Sequence, residues 1–265
     1  MDLPQDYQAQ LNAEFWAGGE QLGFYAQREL RRVELVLLRR YRGALSGTVL
    51  ELGCGAGRLT GYVIETAAKV HGIDISPAMI AHCRAAYPEG VFEVGDLRDL
   101  SHFADRSFDA VLAPYNTLDV LGDDERRRVL GEIARVLVRD GLFIMSSHNR
   151  AHAARIGVRA RLLIGSPRRP LASLRHLPRR LRNRRRLMPL ERETPDYALR
   201  NDEAHDFELL HYYVTSDAQE RQLESAGFEL LECLDLSGRT IARGGQARAC
   251  PELHYVARRR SRPPA

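Results

Sequence analysis

Apolar residues along this chain follow two rhythms. Short runs such as Val49-Leu50, Val91-Phe92, Val111-Leu112 and Leu142-Phe143-Ile144-Met145 read as buried strands, and the stretches between them repeat apolar positions at helical spacing. The pattern predicts strands at about 48–53, 69–74, 91–94, 108–114 and 142–147, with helices at 58–67, 77–87 and 123–138. Such alternation predicts a parallel sheet with helices on both faces. The helix from Asp123 carries acids in its first turn and apolar residues at Val129, Ile133, Val136 and Leu137, so it suits its own dipole and packs one face inward. Two helices are expected ahead of the first strand, at 5–16 and 20–42. Later, Ser216 to Ala226 reads as a helix stopped by Gly227, followed by strands at 228–236 and 250–258. Alternation from Phe207 to Val214 predicts one extra strand with His211 and Tyr213 on one side and Tyr212 on the other.

The first strand runs straight into a glycine turn, Glu51-Leu-Gly-Cys-Gly-Ala-Gly. Gly53, Gly55 and Gly57 let the backbone turn tightly and approach a ligand without a Cβ in the way, and Cys54 is a small residue that fits between them. A dinucleotide loop of the form G-x-G-x-x-G is not met, and neither is a phosphate-cradling G-x-x-x-x-G-K-[ST] loop, since the only lysine in the chain is Lys69. An acid beside the loop, Glu51, disfavours a pyrophosphate and suits a ligand with a cationic amine or sulfonium. S-adenosylmethionine carries both. The second strand ends in Asp74, placed to accept from a ribose diol, and the third in Gly95-Asp96-Leu97, where a carboxylate can take an adenine amino group while Leu97 packs on the ring.

With these three signals in order, the chain resembles the class I S-adenosylmethionine-dependent methyltransferases of small-molecule type, closely over residues 45–148 and more loosely over 211–258. The resemblance implies an α/β, Rossmann-like fold with a seven-stranded, mostly parallel sheet whose last strands form an antiparallel hairpin. It implies that Ile75 and Met79 flank the adenosine and that a backbone carbonyl near Ala113 holds the methionine amine. It also implies an N-terminal helical cap at 1–44, a cofactor-binding core at 45–150, a lid inserted at 151–206, completion of the sheet at 207–258 and a basic tail at 259–265. Aromatic residues of the cap, Phe15, Trp16, Phe24 and Tyr25, lie on helices that cover the cofactor in relatives, with Tyr25 a candidate for substrate contact.

The chain has 265 residues, 44% of them hydrophobic, enough for a full-sized core. No run approaches a membrane span and the start, Met-Asp-Leu-Pro-Gln-Asp, does not read as a secretory signal, so a cytoplasmic location is expected. Four scattered cysteines without a C-x-x-C pair argue against a zinc site or a disulfide framework. Charge is unevenly spread. Residues 155–192 hold thirteen arginines against one acid, Glu191, so the modest net charge of +4 conceals a basic insertion in an otherwise acidic chain. Prolines at 167, 170, 178, 189 and 195 are expected to break it into pieces. Such a lid suits an anionic small substrate; nucleic acid and an anionic membrane surface are rival partners, and a solvated surface is the plain alternative.

Methyl transfer from a sulfonium is an in-line displacement, so the protein has to align an acceptor and remove its proton. The fourth strand ends Ala113-Pro114-Tyr115-Asn116, lacking the leading Asp or Asn of the [DN]-P-P-[YF] pattern typical of methyltransferases acting on nucleic-acid amines. Tyr115 and Asn116 are therefore assigned to a small-molecule site, and His148 at the tip of the fifth strand is the candidate general base. His211 and Tyr213 are candidate substrate contacts. No ligand spacing for a metal is met by His205, Asp206 and His211. The expected activity is methyl transfer to an O or N atom of a small molecule, in secondary or cell-envelope metabolism; an RNA methyltransferase and a non-catalytic cofactor-binding regulator are the alternatives.

Overall fold

The structure is a computed structural model that describes residues 7–17, 23, 29–152 and 170–261. Its strands are β1 (Thr48–Leu52), β2 (Lys69–Asp74), β3 (Val91–Val94), β4 (Phe108–Ala113), β5 (Leu137–Asn149), β6 (Arg192–Glu193), β7 (Tyr197–Arg200), β8 (His211–Val214), β9 (Phe228–Leu234) and β10 (Glu252–Arg259). Its helices are α1 (Tyr7–Ala17), α2 (Arg32–Arg40), α3 (Thr60–Val63), α4 (Pro77–Ala86), α5 (Asp123–Val136), α6 (Pro170–Leu187) and α7 (Ser216–Ser225). Strand order is β3-β2-β1-β4-β5, all parallel, continued by β10 and β9 in an antiparallel pair. These seven are the expected sheet.

Alternation along the central strands builds a core on each face. Leu50 and Leu52, Val111 and Ala113, and Phe143 and Met145 point to one side, where Val129, Leu130, Ile133 and Val136 of α5 meet them. Val49, Ala110, Leu112, Leu142 and Ile144 point to the other, against Val33 and Leu37 of α2.

Beyond these seven stand the expected extra strand, β8, and two strands that the pattern does not predict, β6 and β7. At His148 and Asn149, β5 pairs on one edge with β10 and on the other with β8, through Tyr213 and Val214. At Met145 that second edge still belongs to β4. The extra strand therefore takes over the edge that β4 vacates, and β7 and β6 follow it outward in antiparallel pairs. Residues 192–200, expected in a lid, are thus part of the sheet.

Other boundaries also shift. Glu29, Leu30 and Arg31 are not helical and α2 begins at Arg32, where the Arg31 N–H is taken by the Glu34 carboxylate, so the expected helix over 20–42 is interrupted at 29–31, its first part lying largely outside the described residues. The expected strand from Phe207 starts only at His211. Before it, His205, Asp206 and Phe207 all adopt left-handed backbone (φ 50°, 56° and 60°), which no strand accommodates. Pro178 lies inside α6 without ending it. The helix is held from outside: Arg179 pairs with Glu208 at 2.6 Å, Arg180 with Asp206 at 2.7 Å, and Asn183 donates to the Asp206 carbonyl. At its far end Leu187 packs with Leu11 of α1 and Leu210, while Asn12 donates to the carbonyls of Val120 and Leu210. The first helix, α6 and the approach to β8 thereby close over the carboxyl ends of the parallel strands.

Candidate active site

The carboxyl ends of β1, β2, β4 and β5 open onto a cavity of about 460 Å³, within the range of small-ligand sites. Its two halves differ in chemistry.

One half is the glycine turn and its acids. Gly53, Gly55 and Gly57 all have positive φ, and a Cβ on Gly55 would meet nothing within 4 Å, so the backbone there lies bare to the cavity. The loop is tied down by Asp74, whose carboxylate accepts from the N–H of Gly55 and of Ser76, both at 2.9 Å. Burial raises the Asp74 pKa against these bonds. Glu51 is buried beneath the turn with its carboxylate accepting from the Thr60 hydroxyl, and burial pushes its pKa up to about 7. Asp96 is gripped by the Arg98 fork at 2.6 Å, and Arg98 also reaches Glu125 at 3.0 Å. Ile75, Met79 and Leu97 supply apolar wall. Cys54 also faces this cavity, its thiol packed in a small cluster with Cys83 and Phe92. Ala113 is fully buried and does not reach the wall; Pro114 does.

A bare loop beside the carboxylates of Glu51 and Asp74, each with lone pairs beyond those used, and apolar side chains for a ring fits S-adenosylmethionine, whereas each oxygen of Asp96 already accepts two bonds from Arg98. Glu51, Asp74 and Asp96, which the sequence assigns to the cofactor, all line this cavity.

The other half is made by strand tips that distance in sequence conceals. Tyr115 and Asn116 both have left-handed backbone (φ 57° and 60°), at a cost of roughly 1–2 kcal/mol each, and the Asn116 N–H is anchored on Ser146 Oγ at 2.7 Å. This turn sets the Tyr115 ring against two guanidinium groups, Arg31 at 4.3 Å and Arg58 at 4.9 Å from its centroid. Each is fixed in turn, Arg58 by both oxygens of Glu34 and Arg31 by Glu252. The Glu252 carboxyl titrates at about 2, because His254 and Arg31 outweigh its burial, and its second oxygen accepts from Asn116.

His148 sits above a buried polar network. Its Nδ1 lies 2.7 Å from Asp119 Oδ2, which also accepts the His148 backbone N–H at 2.7 Å. Asp119 Oδ1 accepts from Ser147 and from Arg126, whose side chain is fully buried and reaches Gln219 at 2.7 Å while lying over the Tyr212 ring. Burial lowers the His148 pKa, but Asp119 outweighs it and the net shift is upward. With Nδ1 turned to the carboxylate, Nε2 is the basic nitrogen; it lies 3.2 Å from the Asn116 amide.

The approach to β8 and β8 itself furnish another wall through His205 and His211, with Asp202 and Tyr213 behind it and outside the cavity lining. Asp202 accepts from His211 Nδ1 at 3.0 Å and from the Tyr213 hydroxyl at 2.5 Å, and Tyr213 lies 4.8 Å from the His148 ring. His205 packs against Phe15 and Trp16, its pKa lowered to about 4 by burial and by His211. Tyr25 lies outside the described residues. Among the described residues no cluster of His, Cys, Asp or Glu suits a metal ion, and no helix is long and apolar enough to cross a membrane.

The structure thus brings His148, Tyr115, Asn116 and His211 to one cavity with the glycine turn. Arg31 and Glu252 line it with them and Asp119, Arg126 and Asp202 stand behind it, none of the five singled out from sequence. Only Arg126 left a signal, since it falls three residues before Val129 on the inward stripe of α5.

Comparison with known proteins agrees with this arrangement. A family described as methyltransferase domain matches residues 49–141. A probable S-adenosylmethionine-dependent methyltransferase of Mycolicibacterium smegmatis is 34% identical over 120 residues, 45% of each chain. Trans-aconitate 2-methyltransferase of Escherichia coli is 38% identical over 86 residues, 32% of this chain and 33% of that protein. These matches span less than half the length of either relative. Among solved structures, the Burkholderia thailandensis 1,6-didemethyltoxoflavin-N1-methyltransferase shares the fold at a TM-score of 0.63 and 15% identity, over 98% of this chain and 92% of that one. Its glycine turn, its strand order and these likenesses together make residues 49–141 similar to the methyltransferase domain, on a fold shared with S-adenosylmethionine-dependent methyltransferases.

Proposed function

We propose that the protein transfers a methyl group from S-adenosylmethionine to an oxygen or nitrogen of a small molecule, with His148 as general base. The observation that carries this is the contact of His148 Nδ1 with buried Asp119 at the wall of the cavity that the glycine turn also lines. When bound, S-adenosylmethionine supplies a methyl group made electrophilic by its positive sulfur. The chain's own residues do the rest. Asp119 fixes the imidazole tautomer and stabilises the imidazolium, leaving Nε2 to take the acceptor's proton once the acceptor displaces the Asn116 amide. Tyr115, clamped by Arg31 and Arg58, forms a rigid wall against which an acceptor is aligned.

Cavity size favours a metabolite over a polymer. So does the fate of the basic insertion: Arg179, Arg180 and Arg184 are paired with Glu208, Asp206 and Glu191, and none of these three stands ready for phosphates. The relatives named for trans-aconitate and 1,6-didemethyltoxoflavin also act on small molecules.

Incubation with methyl-labelled S-adenosylmethionine and fractionated cell extract tests the reading. Label is expected in small metabolites; label in RNA, or in no fraction, refutes it. Asp74→Ala should abolish both the transfer and the thermal stabilisation that S-adenosylhomocysteine gives the parent.

A further inference from the structure

The proposed reaction leaves one imidazole–carboxylate pair without a role. Asp202 is buried, and its carboxyl is held well below its usual range, because His211 and Tyr213 outweigh the burial that opposes ionisation. His211 gives Nδ1 to that carboxylate, so its Nε2 is the nitrogen left for a ligand, and the residue lines the same cavity as His148. The two rings stand 5.4 Å apart between centroids, inclined at 45°. Each has Nδ1 beside a carboxylate, Asp119 or Asp202, and both residues line one cavity.

We propose that His148 and His211 together recognise a planar ring bearing two adjacent hydroxyls, one methylated and the other held by His211. Adjacent hydroxyls on an aromatic ring each reach a separate imidazole within a hydrogen bond of about 2.8 Å. A single hydroxyl leaves one nitrogen in this sheltered wall unpartnered, which is costly. An apolar lining suits an aromatic ring: Val120, Leu121, Leu236 and Pro251 share the cavity with the two histidines. In the transfer, the acceptor oxygen gives its proton to His148 Nε2 and uses the freed pair to bond the methyl carbon. The electron pair of the broken sulfur–carbon bond stays on sulfur. His211 neither gains nor loses a proton; it accepts a hydrogen bond from the second hydroxyl.

This inference rests on the methyltransferase reading of the same cavity. Catechol and phenol, each with labelled S-adenosylmethionine, are the probes. Catechol should be methylated with a kcat/KM at least about tenfold above phenol, the discrimination one hydrogen bond gives. His211→Gln should remove that preference by raising the KM for catechol about tenfold. The stabilisation by S-adenosylhomocysteine should persist in that variant, showing an intact fold. Equal use of both probes, or a preference that survives in His211→Gln, overturns the inference. If neither probe takes label while extract metabolites do, the inference fails and the methyltransferase reading stands; if nothing takes label, both fail.

Discussion

Asp119→Asn tests the buried network at the one atom where a conservative change reverses the chemistry. Asp119 Oδ1 accepts from Arg126 and Ser147, and an amide oxygen in that place continues to do so. At Oδ2 the change introduces an NH₂ facing two donors, the His148 backbone N–H and Nδ1, each at 2.7 Å from the original oxygen. The imidazole relieves the clash at its ring by moving its hydrogen to Nε2, where it can no longer take the acceptor's proton. A loss of roughly 10²–10⁴ in kcat follows, the scale of a lost or mistautomerised base. Stability falls too, by about 2–4 kcal/mol, because Arg126 stays fully buried without its counter-charge. That leaves a folded protein if the parent has ordinary stability. The pH profile separates this account from a general weakening. Burial depresses the His148 pKa and Asp119 more than restores it, so the acid limb of kcat/KM lies above the ordinary histidine value. Without the carboxylate the limb should move to lower pH while the plateau drops. The same pairing stabilises the parent fold most at acid pH and fades as pH rises through the raised pKa. A plateau within about threefold of the parent, with an unmoved acid limb, refutes the orienting role of Asp119.

Two further outcomes follow from the glycine turn. With its pKa raised to about 7, Glu51 binds a proton in the fold that it has lost in the unfolded chain, so its contribution diminishes as pH rises from about 4.5 through 7. Glu51→Gln should therefore add roughly 2–4 kcal/mol at pH 8 and almost nothing at pH 5 in denaturant titrations, while weakening cofactor binding; an equal effect at both pH values contradicts the assignment. Gly53→Ala places a methyl 2.6 Å from Thr117 Cγ2 on a backbone at φ 61°, and should cost about 1–3 kcal/mol and shrink the S-adenosylhomocysteine shift in thermal melts.

The half of the cavity around the glycine turn was legible because its determinants are local. A strand, a glycine turn and an acid at the next strand end lie within a few dozen residues, and period-two alternation carries the strands themselves. The acceptor half depends on contacts between distant segments. Arg126 meets Gln219, Asn116 meets Glu252, and Arg31 also meets Glu252, pairings of residues that look like solvated surface when read singly. The run of acids and arginines at the start of α5 hid Arg126, although its spacing from Val129 and Ile133 placed it on the buried stripe. For the basic insertion, composition reveals its charge, but the acids that pair with Arg179, Arg180 and Arg184 lie at Glu208, Asp206 and Glu191, at its edge and beyond. Pro178 was weighed as a breaker because propensity omits such external clamps.

The edge that β8 takes over from β4 has an evolutionary reading. The wall holding Asp202, His205, His211 and Tyr213 is grafted onto the sheet through the two residue pairs of β5 and β8, downstream of every strand that forms the glycine turn and its acids. Mutations in that appendage can retune which molecule is chosen while the donor machinery stays inherited unchanged. Exchanging residues 192–214 between relatives is thus a route to new acceptors.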